Sequence, residues 1–221
     1  MKMWLRSRFQ DGENTMENKA VDGQSKNEAD ELIKRVAYHE AGHAVIAHYF
    51  EATIKVVSIE PHSESRSLGR VEQEWNWEKP HAGMSDDQLK NGVIRSIAFP
   101  LCTILSGLAA EYIHCGESKE MKVEVGSELD VKYGEDFLHE TFGVLSSAPN
   151  ANKEVKVPLD EIIDTTFKEM VELLKSKWLA VEALADVLIR KRTVSGKEAV
   201  EIIESTAAGK SRIKIQAWEG V

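Results

Sequence analysis

The sequence predicts a mainly α-helical domain of the α+β class, with a small β-sheet next to its first helix. Three observations carry that expectation. Apolar residues recur at three- and four-residue spacings from about Asn27 to Phe50, through Leu32, Val36, Ala37, Ala44 and Ala47. The β-branched run Ile54-Lys55-Val56-Val57-Ser58-Ile59 and the segment Leu68–Trp75, joined by a polar loop from Pro61 to Ser67, read as a strand and a returning strand. Beyond Ser85, helical spacing dominates again.

Taken in order, residues 1–26 are polar and aperiodic and read as a disordered lead-in. The domain is expected to span 27–206. Residues 76–84, with Pro80 and Gly83, form a second loop. Ser85-Asp86-Asp87-Gln88 has the pattern of a capped helix start. Helical spacing runs on through Val93, Ile97 and Leu101, and Pro100 is expected to kink or divide it. Leu105–Tyr112 is a helix of small residues suited to close packing, ended by Gly116. A linker (117–125), a helix (128–141) and a loop (144–157) follow. Two further helices span about 158–175 and 177–191, and a short one begins near Ser195. The tail 207–221 has no assigned structure.

Length and composition bound the function. A chain of 221 residues suits one domain, and 42% hydrophobic with 29% charged residues is the balance of a soluble globular protein. The net charge of −9 argues against a nucleic-acid partner. Two cysteines, Cys102 and Cys115, cannot build a disulfide framework, and Cys102 reads as a core thiol. No stretch is read as approaching the ~20 apolar residues that cross a bilayer, and the first residues do not form an export signal. The expectation is therefore a cytoplasmic protein without a membrane partner.

The chemistry-bearing motif is His39-Glu40-Ala41-Gly42-His43. Two histidines four apart lie one turn apart on one helix face, where both imidazoles can bind one Zn²⁺. Glu40, next to the first, can reach a water on the metal rather than the metal itself, and so act as general base. The bland alternative is a solvated polar face. It sits poorly with the flanking Val36, Ala37, Val45 and Ile46, because histidines buried among apolar residues need polar partners. A catalytic site needs a third protein ligand. Spacing leaves Glu111, His114 and Asp130 open. The remaining His48, His62, His81 and His139 read as surface or loop residues, as does His114 if it is not a ligand.

Several segments, in order, resemble the peptidase domain of FtsH-type proteases. Val36-Ala37-Tyr38-His39-Glu40-Ala41-Gly42-His43-Ala44-Val45 resembles the family's zinc helix, with glycine before the second histidine. Val56–Pro61 followed by Ser67-Leu68-Gly69 is similar to its strand, proline loop and Leu-Gly turn. Leu105-Ser106-Gly107-Leu108-Ala109-Ala110-Glu111 is similar to its Gly-Arg-Ala-Ala-Glu helix, and Gly126-Ser127-Glu128-Leu129-Asp130-Val131 to its Gly-Ala-x-Asn-Asp-Leu segment. Leu184–Leu188 and Thr193–Glu198 resemble its closing helices. The likeness covers roughly residues 30–205.

This resemblance implies an FtsH-type helical zinc-peptidase fold. It implies one Zn²⁺ held by His39, His43 and Asp130, with Glu40 as base. Glu111 is the runner-up ligand, and the family's matching glutamate does not bind metal. The resemblance also implies that a strand edge at Gly69, Arg70, Val71 and Glu72 holds the substrate backbone by strand addition. The chain departs from the family at Leu108, Leu129 and the loop 62–67. It shows no membrane segments or ATPase module, and Gly209-Lys210-Ser211 lacks the earlier glycine of a phosphate loop. The function expected is a zinc endopeptidase acting on flexible or unfolded protein, with a possible homo-oligomeric state. The alternatives are a non-catalytic peptide-binding module and a peptidase working in trans with a separate ATPase.

Overall fold

A computed structural model describes residues 26–61, 67–75, 83, 85–117, 132–134, 136–137 and 159–206. Helix α1 (Lys26–Tyr49) is followed by strands β1 (Thr53–Ser58) and β2 (Arg70–Glu74) and by the long helix α2 (Asp86–His114). Helices α3 (Leu159–Ser176) and α4 (Trp178–Lys191), strand β3 (Thr193–Ser195) and helix α5 (Gly196–Thr206) complete the described chain. The class is as expected, mainly helical with one small sheet beside α1. The lead-in at 1–25, Asp130 and the tail at 207–221 lie outside the described residues.

The sheet is antiparallel, with order β2-β1-β3. Val57 of β1 is fully buried and faces Val71 on one side and Val194 on the other. A register shift between Ile54 and Val56 marks a bulge in the β1–β2 pair. Strand β3 is absent from the sequence reading, because three residues are too few to show a period of two.

Helices α1 and α2 form the centre. Ala37, Ala41 and Ala44 of α1 and Leu101, Ala109 and Ala110 of α2 are fully buried. Gly42 lets the helices approach closely, since a Cβ there would lie 2.6 Å from the Cβ of Ala110 and 2.7 Å from the Ser106 carbonyl oxygen. Helix α3 packs on α2, and α4 packs on α1.

Ser85 caps α2 as the sequence predicts: its hydroxyl accepts from the Gln88 N–H at 3.3 Å, and the Gln88 side chain accepts from the Ser85 N–H at 2.9 Å. Pro100 does not divide the helix. It lies inside one unbroken element from Asp86 to His114. Proline removes a single backbone donor, whereas Ala98, Leu101, Cys102 and Leu105 around it are all buried, and tertiary packing outweighs the local defect. Gly116, at φ +74°, ends the turn after the helix.

The same helix corrects the membrane reading of the sequence. Arg95–His114 is long and apolar enough to cross a bilayer by length and composition, yet 67% of it is buried inside the protein, where it serves as a core helix. Cys102 is fully buried, as a core thiol should be, and burial pushes its thiol pKa far up. Leu184 of α4 is also fully buried. Leu184→Ala is expected to lower unfolding free energy by about 2–5 kcal/mol, measured by urea denaturation followed by circular dichroism. A loss below about 1 kcal/mol would mean that α4 is not part of the cooperative core.

Candidate metal centre

The motif lies in the second half of α1, on the face turned toward α2. His39 and Glu40 are each only 6% exposed. The two imidazoles meet at their Nε2 atoms, 2.9 Å apart, with the ring planes at 83°. Each ring is held from behind by α2. His39 Nδ1 lies 2.8 Å from Glu111 Oε1, and His43 Nδ1 lies 2.7 Å from the Thr103 carbonyl oxygen.

These partners decide the tautomers. A backbone carbonyl only accepts, and an ionised carboxylate only accepts, so each Nδ1 carries the proton and donates it. Both Nε2 lone pairs then point into one small space. Two acceptors 2.9 Å apart repel unless a proton or a metal ion lies between them. Outer partners that fix the Nδ1–H tautomer are the arrangement by which proteins prepare histidines to bind metal. The donor set therefore fits a divalent ion with a preference for nitrogen, as Zn²⁺ has.

The backing is itself braced. Glu111 is 5% exposed, and its second oxygen pairs with Arg35 Nη2 at 3.0 Å. Arg35, His39 and His43 are spaced by four on α1; Thr103, Gly107 and Glu111 are spaced by four on α2. Two helical faces with one period therefore meet, and the site is their seam.

Among the described residues, no third His, Cys, Asp or Glu completes a metal-holding group with the histidine pair. Asp130 lies outside those residues. Glu111 sits against the Nδ1 edge of His39, not the Nε2 edge, which is the position of a supporting residue. His114, expected on the surface or in a loop, occupies the last turn of α2. Its ring stacks on Tyr38 with centroids 3.9 Å apart, it is half-buried, and burial lowers its pKa.

A cleft of about 370 Å³ opens over the pair. His39, Glu40 and His43 form part of its wall, together with Gly69, Arg70, Val71 and Gln73 across from them. Strand β2 is an outer strand of the sheet, so one of its edges has no partner strand among the described residues. Glu72 alternates away from the cleft wall; it is exposed and pairs with Arg70 Nε at 2.8 Å. Gly69 approaches Glu40 so closely that a Cβ there would lie 2.6 Å from the carboxylate Oε1.

No family model matches the chain. The chain is distantly similar to FtsH zinc metalloproteases. It is 23% identical over 189 residues to the ATP-dependent zinc metalloprotease FtsH of Karelsulcia muelleri (strain DMIN), which covers 77% of this chain and 29% of that protein. It is 24% identical over 197 residues to the FtsH of Slackia heliotrinireducens, covering 78% and 24% of the two. To the FtsH of Ruminiclostridium cellulolyticum it is 28% identical over 195 residues, covering 78% and 30%. The chain thus spans less than a third of the length of these FtsH relatives.

Arg35, Thr103 and Tyr133 also line the cleft and are missed by sequence reasoning. Only Arg35 carried a signal, since it lies one helical turn before His39. The seam makes a direct prediction. Glu111→Gln leaves the shape but removes the charge that holds His39 Nδ1–H and Arg35. Zinc affinity, measured by competition with a chromophoric chelator, should fall about 10–100-fold.

Proposed function

We propose that this chain is a zinc-dependent endopeptidase that hydrolyses peptide bonds in flexible or unfolded protein segments. The single observation that carries the reading is the convergence of the two Nε2 lone pairs beside the Glu40 carboxylate in one cleft. The distant likeness to FtsH proteins, named as zinc metalloproteases, supports it.

His39 and His43 would hold the ion, with Asp130 as the third ligand that the resemblance assigns. A bound Zn²⁺ supplies Lewis-acid polarisation of the substrate carbonyl and acidifies water. The rest is done by side chains of this chain. Glu40 accepts a proton from the attacking water as its oxygen bonds to the carbonyl carbon. It then returns that proton to the amide nitrogen as the C–N bond breaks. Burial beside Gly69 fixes where the carboxylate stands. An extended peptide can add to the outer edge of β2, and main-chain hydrogen bonds there give affinity with little sequence preference.

The substrate is an unfolded segment because strand addition needs a chain with free backbone groups. A cytoplasmic setting is part of this proposal and self-association is compatible with it; a peptidase working in trans with a separate ATPase is an alternative to it.

Two variants test it. Glu40→Gln should lower casein hydrolysis at least about 100-fold while zinc content stays near one per chain; undiminished hydrolysis would remove Glu40 from the mechanism. Gly69→Ala pushes on the Glu40 carboxylate and on the Ser58 carbonyl of β1, not on the imidazoles. Its kcat should fall at least about tenfold, with KM and zinc affinity nearly unchanged, as for a group acting only in the transition state. Zinc and peptide bound without turnover by the parent chain would instead identify a peptide-binding module.

A further inference from the structure

Helix α2 contacts the imidazole pair at three successive positions of one face: Thr103, Gly107 and Glu111. The outer two accept hydrogen bonds from His43 and His39. The middle one has no side chain, and its backbone lies against the coordinating atoms. A Cβ at position 107 would stand 2.5 Å from His43 Nε2, 2.6 Å from His39 Nε2 and 2.7 Å from His39 Cε1. Neither ring can swing clear without breaking its Nδ1 bond of 2.7 or 2.8 Å.

We propose that Gly107 is a positioning residue for the metal site: the bare backbone of α2 at this point sets where both Nε2 atoms stand. The inference rests on the zinc reading above. It assigns the spacing of the imidazoles to the second helix, not to the helix that carries them. Two histidines at i and i+4 have several rotamers each. The two outer acceptors choose the rotamers, and the floor between them fixes how deep the rings sit.

The contact differs in kind from those of Gly134 and Gly42. Gly134 also packs on α2, but a Cβ there would meet Leu101, Ile104 and Leu105 at 3.5–3.9 Å, which is ordinary contact. Gly42 abuts Ala110 and the Ser106 backbone and governs helix separation. At 107, two of the three nearest atoms are the coordinating nitrogens themselves and the third belongs to one of the same rings. Alanine is also the better helix former, so a methyl at 107 does not oppose the helix; it opposes the rings.

The test uses the full chain, metal-free and then loaded. Zinc affinity is read by competition with a chromophoric chelator, and site geometry by the visible absorption of bound Co²⁺. Gly107→Ala should lower zinc affinity at least about tenfold, the range seen when groups supporting a ligand are lost. It should also weaken or shift the Co²⁺ bands, while the circular dichroism of the metal-free chain stays that of the parent. Gly134→Ala should match the parent in both metal readouts. Leu105→Ala, which empties core space two residues away on another face of α2, should lower the unfolding midpoint yet keep parent-like zinc affinity in the folded chain. Parent-like zinc binding and Co²⁺ absorption by Gly107→Ala would overturn the proposal. So would an unfolded Gly107→Ala chain, which would make the glycine a packing residue alone. A parent chain that binds neither metal would instead defeat the zinc reading itself.

Discussion

Two imidazole nitrogens face each other at 2.9 Å with their lone pairs inward, and the rest of the structure is arranged around that contact. It is an unfavourable meeting for neutral rings without a cation. It persists because each ring is tied down on its far side, by a buried carboxylate in one case and a helix carbonyl in the other. Those ties come from α2, so the site exists only where α1 and α2 lie in register. Small residues along the seam make that register possible. Gly42, Ala41, Ala109 and Ala110 bring two helix backbones close enough for a carbonyl of one to reach an imidazole of the other. The packing of the core and the preparation of the site are thus one event. Losing register would at once expose apolar surface and free the rings.

Electrostatics follow the same logic. Glu111 is a carboxylate with 5% exposure, a placement that is strongly unfavourable unless it is compensated. Its two oxygens are divided between His39 Nδ1 and the Arg35 guanidinium. The guanidinium gives the buried carboxylate a charged partner, and its other oxygen orients His39. Glu40, one residue along, turns to the other side, against Gly69 at the start of β2. Two buried carboxylates are thus set apart by what each touches: Glu111 braces His39, and Glu40 stands against Gly69.

Much of this is legible in the sequence, and the limits have physical causes. The i, i+4 histidines, the apolar flanks of α1, the β-branched β1 and the Ser85–Gln88 cap are local patterns, and local patterns survive translation into structure. Pro100 does not divide its helix, because a lost donor and a ring crowding the carbonyl four residues back are local effects, while the buried surface around it is a property of the whole fold. The apolar length of Arg95–His114 misled in the other direction. It reads as ordinary when single polar residues are counted, and only burial separates a core helix from a membrane span. Strand β3 is too short to have a signature and exists because β1 offers it an edge. The role of Glu111 could not be settled by spacing: a glutamate 72 residues from His39 can be ligand or brace, and only the ring edge it meets separates the two.

The position of β2 is the last consequence of the same seam. β1 is anchored through Val57 between β2 and β3, so the sheet sits where α1 ends and cannot drift from it. Gly69 then brings the chain against Glu40 before β2 begins, and Arg70, Val71 and Gln73 of β2 line the cleft together with the histidines. A peptide adding to that edge would inherit its height above the imidazoles from the sheet and its lateral position from the strand register. Side chains of the peptide would contribute little, because Arg70 is already paired with Glu72. On the proposed reading, alignment of a scissile bond would be set by the β2 side of the cleft and by the imidazoles that Gly107 backs. On the proposed peptidase reading, a site built this way would select for extended, accessible chain and be indifferent to most of its sequence.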